Sequence, residues 1–382
     1  MRALWLIVAL VLTACTESGG EDLEQSFRGQ FEQWYRDHPP STALPIPSEL
    51  ALLARHKPVY FLGPDARPPV DFYGHYIANG TLHDGDGQVL ARAPDRATLN
   101  QYARDPRARF IHDGPKGEYG PGVVYGRVDH DRLVIDGAPL ELTFLTYTLV
   151  FETSGVLAGL PGWQELAIQA VADPTDWHQL DHYVNVTVAL REEQPIALMF
   201  QHHNYQRTWR LVGPAGPGRL DLPIDGRPLV DIALRSNEAY PHRGEPARWR
   251  AVSFMESGAR FLVLGEDAPM QSGEDLTDPA RRLDDLTLVT LPHADAFYTF
   301  RGSLGEARTL PGRSGPPGAD YNTLAGLKAP ATQLVAAYWY EGLADYPDQV
   351  TALLQSAWRG RRLDLAPFVA RFAREAGLAG DG

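Results

Sequence analysis

Cysteine is almost missing from this chain: Cys15 is the only one in 382 residues. A single thiol rules out a disulfide within the chain, so stability has to come from a hydrophobic core. The chain is long enough to build one. Positive charge is also scarce. Lys and Arg number 35 against 48 Asp and Glu, a formal net charge of −13, which argues against a nucleic-acid partner. Beyond Cys15 there is no apolar stretch approaching the roughly 20 residues that span a bilayer. Familiar catalytic signatures are lacking too. No GxSxG nucleophile elbow, HExxH, Walker A or GxGxxG motif is present. Glycine and proline are plentiful instead, with 36 and 31 residues, which predicts many turns and loops.

The lone cysteine is well placed. Arg2 gives a positive start, residues 3–12 (ALWLIVALVL) are apolar, and the small residues Thr13 and Ala14 lead directly into Cys15. This is the layout of an export signal, and it resembles the lipobox of a bacterial lipoprotein. The resemblance implies that the chain is cut before Cys15 and that its thiol carries a diacylglycerol. An ordinary secretory signal with an incidental cysteine is the alternative. Thr16, rather than Asp, follows the cysteine, which by the same resemblance favours the outer membrane in a Gram-negative host. The expected partner is therefore a membrane, reached through acyl chains on Cys15. An acidic chain would be repelled by anionic headgroups, so the acyl chains must do the anchoring.

Organisation follows from periodicity. Residues 1–14 read as the signal and 15–22 as a lipidated polar tether. Segment 23–56 is helical, with Leu23, Phe27, Phe31 and Trp34/Tyr35 at helical spacing. Residues 57–300 read as strands. Candidates are Pro58–Leu62, Gly122–Ile135 with Pro139–Phe151 around Asp136-Gly137, and Tyr183–Leu190 with Pro195–His202. Pro228–Arg235, Arg248–Phe254, Arg260–Leu264 and Leu286–Leu291 follow. Asp84-Gly85-Asp86-Gly87 reads as a turn. Residues 301–330 are a Gly/Pro-rich loop and 331–382 a helical tail, with one helix after Pro347 and a last one carrying Leu365, Phe368, Val369 and Phe372. The expected fold is mainly β: an antiparallel β-sandwich with an N-terminal helix and C-terminal helices packed on it.

Polar chemistry is densest between 173 and 242. Three clusters stand at predicted strand ends: residues 173–183, with Asp176-Trp177-His178 and Asp181-His182-Tyr183, then Gln201-His202-His203-Asn204-Tyr205, then Ser236-Asn237-Glu238-Ala239-Tyr240-Pro241-His242. Hairpin pairing would bring such ends to one rim. Imidazoles and carboxylates suit either a divalent metal or acid–base work. The metal-ligand candidates are His178, Asp181, His202 and His203, with Asp176 and Glu238 as second choices. Trp177, Tyr183, Tyr205, Tyr240 and His242 are candidates for holding a ligand. In an extended 178–183, His178 and His182 share one face, Asp181 and Tyr183 the other.

Two stretches carry a family resemblance. Residues 68–82 (PPVDFYGHYIANGTL) look like an early PxSVxWYxxNGxLL stretch. Asp176-Trp177, Gln201-His202-His203 and Ala233–Pro241 (ALRSNEAYP) look like a GDWEH … QH … ALxSHxxYP series in the same order. Through these the chain resembles the Vps62-like family, which is distantly similar to the necrosis-inducing NPP1-like cytolysins. The resemblance implies a β-sandwich and one divalent metal at an acidic cluster. His178 stands where that cluster has Glu, or Tyr183 does in a shifted register, and Asn237 replaces a histidine after Ser236. A toxin role does not transfer to a lipidated chain without disulfides. Three functions follow as expectations: an envelope lipoprotein binding a metal or a polar ligand such as a glycan or lipid headgroup, a metal-dependent envelope hydrolase, or a structural lipoprotein.

Overall fold

The structure is a computed structural model that describes residues 36, 39–63, 66–114, 122–155, 162–202, 205–216, 218–223, 225–242, 281–308, 314–321, 329–338 and 366–378. In chain order come helix α1 (Pro47–Arg55), strand β1 (Val59–Leu62), a π-helical turn (Phe72–Tyr76) and a 3-10 turn (Ile77–Asn79). Then follow β2 (Gly80–His83), β3 (Val89–Arg92), α2 (Arg96–Tyr102), β4 (Arg109–His112), β5 (Val123–Ile135), β6 (Ala138–Ser154) and α3 (Gly162–Gln169). The second half holds β7 (His178–Arg191), β8 (Gln194–His202), β9 (Tyr205–Arg210), β10 (Leu229–Ile232) and β11 (Ala239–Pro241). It ends with β12 (Arg281–Leu283), β13 (Thr287–Thr290), α4 (Ala296–Thr299), α5 (Pro330–Ala336) and α6 (Ala366–Glu375).

The molecule is mainly β. A six-stranded sheet runs β13-β5-β6-β7-β8-β9, and a four-stranded sheet runs β11-β10-β1-β12. Their facing side chains form one core, with Tyr60, Leu62, Val230 and Ile232 from the four-stranded sheet meeting Tyr147, Leu149, Phe151, Val186 and Phe200 of the six-stranded one. That is a sandwich, as expected. Pairing is antiparallel throughout except β1 with β10 and β13 with β5.

The outer face of the six-stranded sheet is covered as well. At one end a three-stranded sheet, β3-β2-β4, packs on it with the π-helical turn and α4, burying Phe72, Tyr76, Phe110, Val150 and Phe297. At the other end α5 and α6 lay Leu334, Val335 and Phe372 against Phe144, Ile196 and Met199. Strand β6 shows how alternation divides these layers. Its odd residues 145–151 enter the sandwich core. Its even residues meet α5 and α6 at Phe144 and the small sheet at Val150.

Several elements match the sequence reading closely. The β5–β6 turn is Asp136-Gly137, both at positive φ (51° and 82°), as a two-residue hairpin requires. Asp84 Oδ1 accepts from the Asp86 and Gln88 amides, so 84–87 is a turn. Of the helical segment expected over 23–56, residues 47–55 form α1 and residues 23–35 lie outside the described residues, as do the strands 248–254 and 260–264 and the helix after Pro347. Strands β2, β3, β4, β9, β11 and β12 fall outside the strands expected from the sequence. The first three are only four residues long. Gly80 lets β2 approach β4, because a Cβ there would sit 2.3 Å from both the Ile111 oxygen and Phe110 Cζ.

Candidate metal centre

Three ligand-type side chains meet where the small sheet joins the sandwich. His75 lies on the π-helical turn, His112 ends β4, and Glu152 is on β6. Their ligand atoms all lie within 4.8 Å of one another. His75 Nε2 is 2.6 Å from Glu152 Oε1, and His112 Nε2 is 3.4 Å from the same oxygen. The three side chains are 12%, 8% and 7% exposed, so water screens them little.

Each residue is positioned by its local chain. Asp71 caps the π-helical turn: its side chain accepts from the Tyr73 amide, and its carbonyl accepts from both the His75 and Tyr76 amides at 3.0 Å. That double acceptance forms the wide turn, a feature found often at functional sites. It buries Phe72 and Tyr76 while leaving His75 at the junction. Asn79 Nδ2 donates to the His75 carbonyl. His112 stacks on Tyr76, with centroids 4.7 Å apart and planes 9° from parallel. Gln179 of β7 locks the His112 backbone, accepting from its amide and donating to its carbonyl. Glu152 falls on the β6 face shared by Val150, one pleat further along.

The His112 ring has a defined tautomer. Its Nδ1 lies 3.0 Å from the Tyr76 carbonyl, which can only accept, so Nδ1 carries the proton. Nε2 points at Glu152 Oε1, 3.4 Å away, where a proton on it or a metal bound to it would meet the carboxylate. A backbone carbonyl fixing one ring nitrogen while the other faces inward is the usual support of a metal-bound histidine. Burial pushes the Glu152 carboxyl up, but hydrogen bonds and charge from His112 and His75 outweigh it and leave it below the ordinary carboxylate range. The residues present can hold a metal ion.

The residues singled out from the sequence sit elsewhere. His178 turns its Nδ1 to the carbonyls of Gln179 and Leu180. Asp176 is buried and paired with Arg308 at 3.0 Å, and Trp177 donates its amide to Ser154. Asp181 is buried and accepts from Asn237 Nδ2 at 3.0 Å. Glu238 accepts from the Tyr240 hydroxyl. Tyr183 donates to the Pro317 carbonyl. His242 pairs with Asp231 at 2.7 Å and stacks on Phe61. His203 and the side chains of His202 and Tyr205 are outside the described residues. The first and third clusters do converge, since Asn237 bridges Thr153 and Asp181. Alternation over 178–183 fails, because Leu180 takes a left-handed φ of 59° and the β6–β7 register shifts between Leu149 and Phe151. His182 is therefore buried in the layer with Phe72 and does not line up with His178.

Nothing in chain spacing joins residues 75, 112 and 152. The available signals are Glu152 after the apolar run Leu149-Val150-Phe151 and His75 inside the family-like stretch 68–82. Set against family models, characterised proteins and solved structures, the chain matches none of them.

Proposed function

We propose that the chain is an envelope lipoprotein, anchored to a membrane through acyl chains on Cys15, that binds one divalent metal with His75, His112 and Glu152 and offers the metal's remaining position to a polar ligand. The observation that carries this is the His112 ring. Its Nε2 faces a carboxylate oxygen at 3.4 Å in a poorly solvated place, a pairing that requires positive charge between the two atoms, from a proton or from a metal ion. A metal supplies that charge and engages His75 as well. Two imidazoles and a carboxylate suit zinc or another borderline first-row ion. Calcium and magnesium prefer all-oxygen sets. The segment by which the chain resembles the Vps62-like family, residues 68–82, contains His75.

Cobalt(II) titration of the mature protein, followed by visible absorption, tests the site. One equivalent with the intense bands of a low-coordinate ion is expected for the wild type and none for His112→Ala. Silent spectra in both would mean that the pocket holds a proton instead. The anchor is tested by Cys15→Ala, which is expected to move the protein from the membrane to the soluble fraction.

A metal-dependent hydrolase is the second reading, because catalytic zinc keeps three protein ligands and an open position. A general base is less evident. Asp176 and Glu306 lie close enough to influence the Tyr76 hydroxyl, but Arg308 pairs with both. Turnover of p-nitrophenyl esters by the zinc-loaded protein, lost in His112→Ala, would favour the enzyme; zinc binding without turnover favours the binding protein.

A further inference from the structure

The outer face of the six-stranded sheet is polar at its centre, where a face built only to pack against its covers would be apolar. Strand register lines these residues up in two rows. Arg127, Thr146, Thr187, Met199 and Thr208 form one, across β5 to β9. Tyr125, Thr148 and Asn185 begin the other, and Asn185 Nδ2 extends it by donating to Gln201 Oε1 at 2.8 Å. Along β6 the apolar covers stand directly on either side of the rows, Phe144 toward α5 and α6 and Val150 toward the three-stranded sheet.

The two covers do not close over the rows. A cavity of about 40 Å3, partly open to solvent, remains at their seam, walled by Tyr298 of α4 and Asp320 and by Pro330 of α5. One water needs roughly 10–15 Å3, so the space takes about three groups of that size. Several side chains around it keep hydrogen-bonding capacity unspent. Tyr298 is 2% exposed, and its hydroxyl has no hydrogen-bond partner among the described residues. Thr146 and Thr187 share one hydrogen bond at 2.9 Å, which uses one of their two hydroxyl protons. Asn185 accepts from Thr148 and donates once, to Gln201, so one Nδ2 proton is left. An acceptor is present as well. Asp129 meets Arg127 through Oδ2, while its Oδ1 stands 3.7 Å from His293 Nδ1, too far for a hydrogen bond.

We propose that this cavity binds a neutral polyhydroxylated ligand, a sugar or polyol that inserts an edge bearing adjacent hydroxyls. A hydroxyl donates and accepts at once, which matches unspent donors at Tyr298, Asn185 and the threonine pair beside an unspent acceptor at Asp129. Charge excludes an anion. Arg127 is the one cation in the described lining, and it is held between Asp129 at 2.9 Å and Asp320 at 2.8 Å, so negative charge is in surplus. Burial pushes the His293 imidazole toward its neutral form, and it adds no positive charge. A cationic ligand is not called for either, because Arg127, over the Tyr298 ring at 5.1 Å, already serves both carboxylates.

The experiment uses the mature protein with Cys15→Ala, which needs no detergent, beside its Tyr298→Phe and Thr187→Val derivatives. Saturation-transfer NMR is run with D-glucose, methyl α-D-glucopyranoside and glycerol, and with acetate as an anionic control. Roughly millimolar binding of at least one of the three polyols is expected, at least about fivefold weaker in each derivative, with no response to acetate. Binding of the methyl glycoside as well as glucose assigns the end of a glycan; binding of glucose or glycerol alone assigns a small free ligand. Tyr298→Phe keeps the ring over Arg127 and deletes only an unpartnered hydroxyl, so without ligand its melting temperature is expected to equal or exceed the parent's. A lower one would mean that the hydroxyl serves the fold, and would overturn the proposal. Silence from all three polyols, or equal binding by both derivatives, would overturn it too and leave a cavity that holds water only. Cobalt binding at His75, His112 and Glu152 is expected to be the same in all three proteins, so this site stands or falls independently of the metal.

Discussion

His182 is enclosed by rings: Tyr183 at 4.6 Å, Phe297 at 5.5 Å and Phe72 at 6.3 Å between centroids. Neither ring nitrogen has a hydrogen-bond partner of good geometry among the described residues. Burial pushes its pKa down to about 3, outweighing the opposing pull of Asp181. The unfolded chain protonates an ordinary histidine near 6.5, so between these two values the unfolded state holds the extra proton. Stability from this residue is present above about pH 6.5 and is lost as pH falls toward 3, by up to about 5 kcal/mol over the whole window. His182→Phe keeps the ring and removes the proton site. Its melting temperature is expected to drop less than the wild type's between about pH 7.5 and pH 5. An unchanged drop would mean that His182 does not titrate this way. Burial also depresses His56 and His293, so the slope should shrink and not vanish. At this scale the sequence was only partly legible. It marked the 173–242 region as polar, but most of those groups are spent on one another, as with Asp181 and Asn237. The convergent ligands come from three segments that only the tertiary structure joins.

The β7–β8 hairpin shows what an element costs when turn chemistry is wrong. Its two turn residues, Glu192 and Glu193, sit at φ 49° and 65°, where a side chain is disfavoured and Asn-Gly is preferred. Glu193 does pair with Arg55 at 3.2 Å, but both are more than half exposed, so the pair contributes little. Replacing the two with Asn-Gly is expected to stabilise the protein by about 1 kcal/mol, read as a higher midpoint in urea. No gain would mean that the turn is not strained. The hairpin was legible from its flanking alternation, and the β5–β6 hairpin from Asp136-Gly137 as well. Strands β2, β3 and β4 were not legible, because their short stretches GTLH, VLAR and RFIH mix polar and charged residues with apolar ones, and their stability comes from packing under the π-helical turn.

At the scale of the whole molecule, the sandwich is one of two interfaces on the large sheet. The second is divided between the small sheet at one end and α5 with α6 at the other, a covering that the sequence indicated only for the C-terminal helices. Phe372 is fully buried in the helical half, so Phe372→Ala is expected to cost about 3–5 kcal/mol while cobalt still binds at the opposite end. The candidate metal ligands come from the π-helical turn, β4 and β6, so a bound ion would clamp the three-stranded sheet to the sandwich. A ligand at about a hundred times its dissociation constant stabilises by about 2.7 kcal/mol, and a chelator should lower the melting temperature accordingly.

We propose one divalent metal at His75, His112 and Glu152. Elemental analysis of the purified mature protein tests it most directly, beside His112→Ala and a His178→Ala/Asp181→Ala double variant, each confirmed folded by thermal melting. The expected result is close to one equivalent of a first-row divalent metal in the wild type and the double variant, and almost none in His112→Ala. Metal absent from the wild type even after zinc loading, or retained undiminished in His112→Ala, would contradict it.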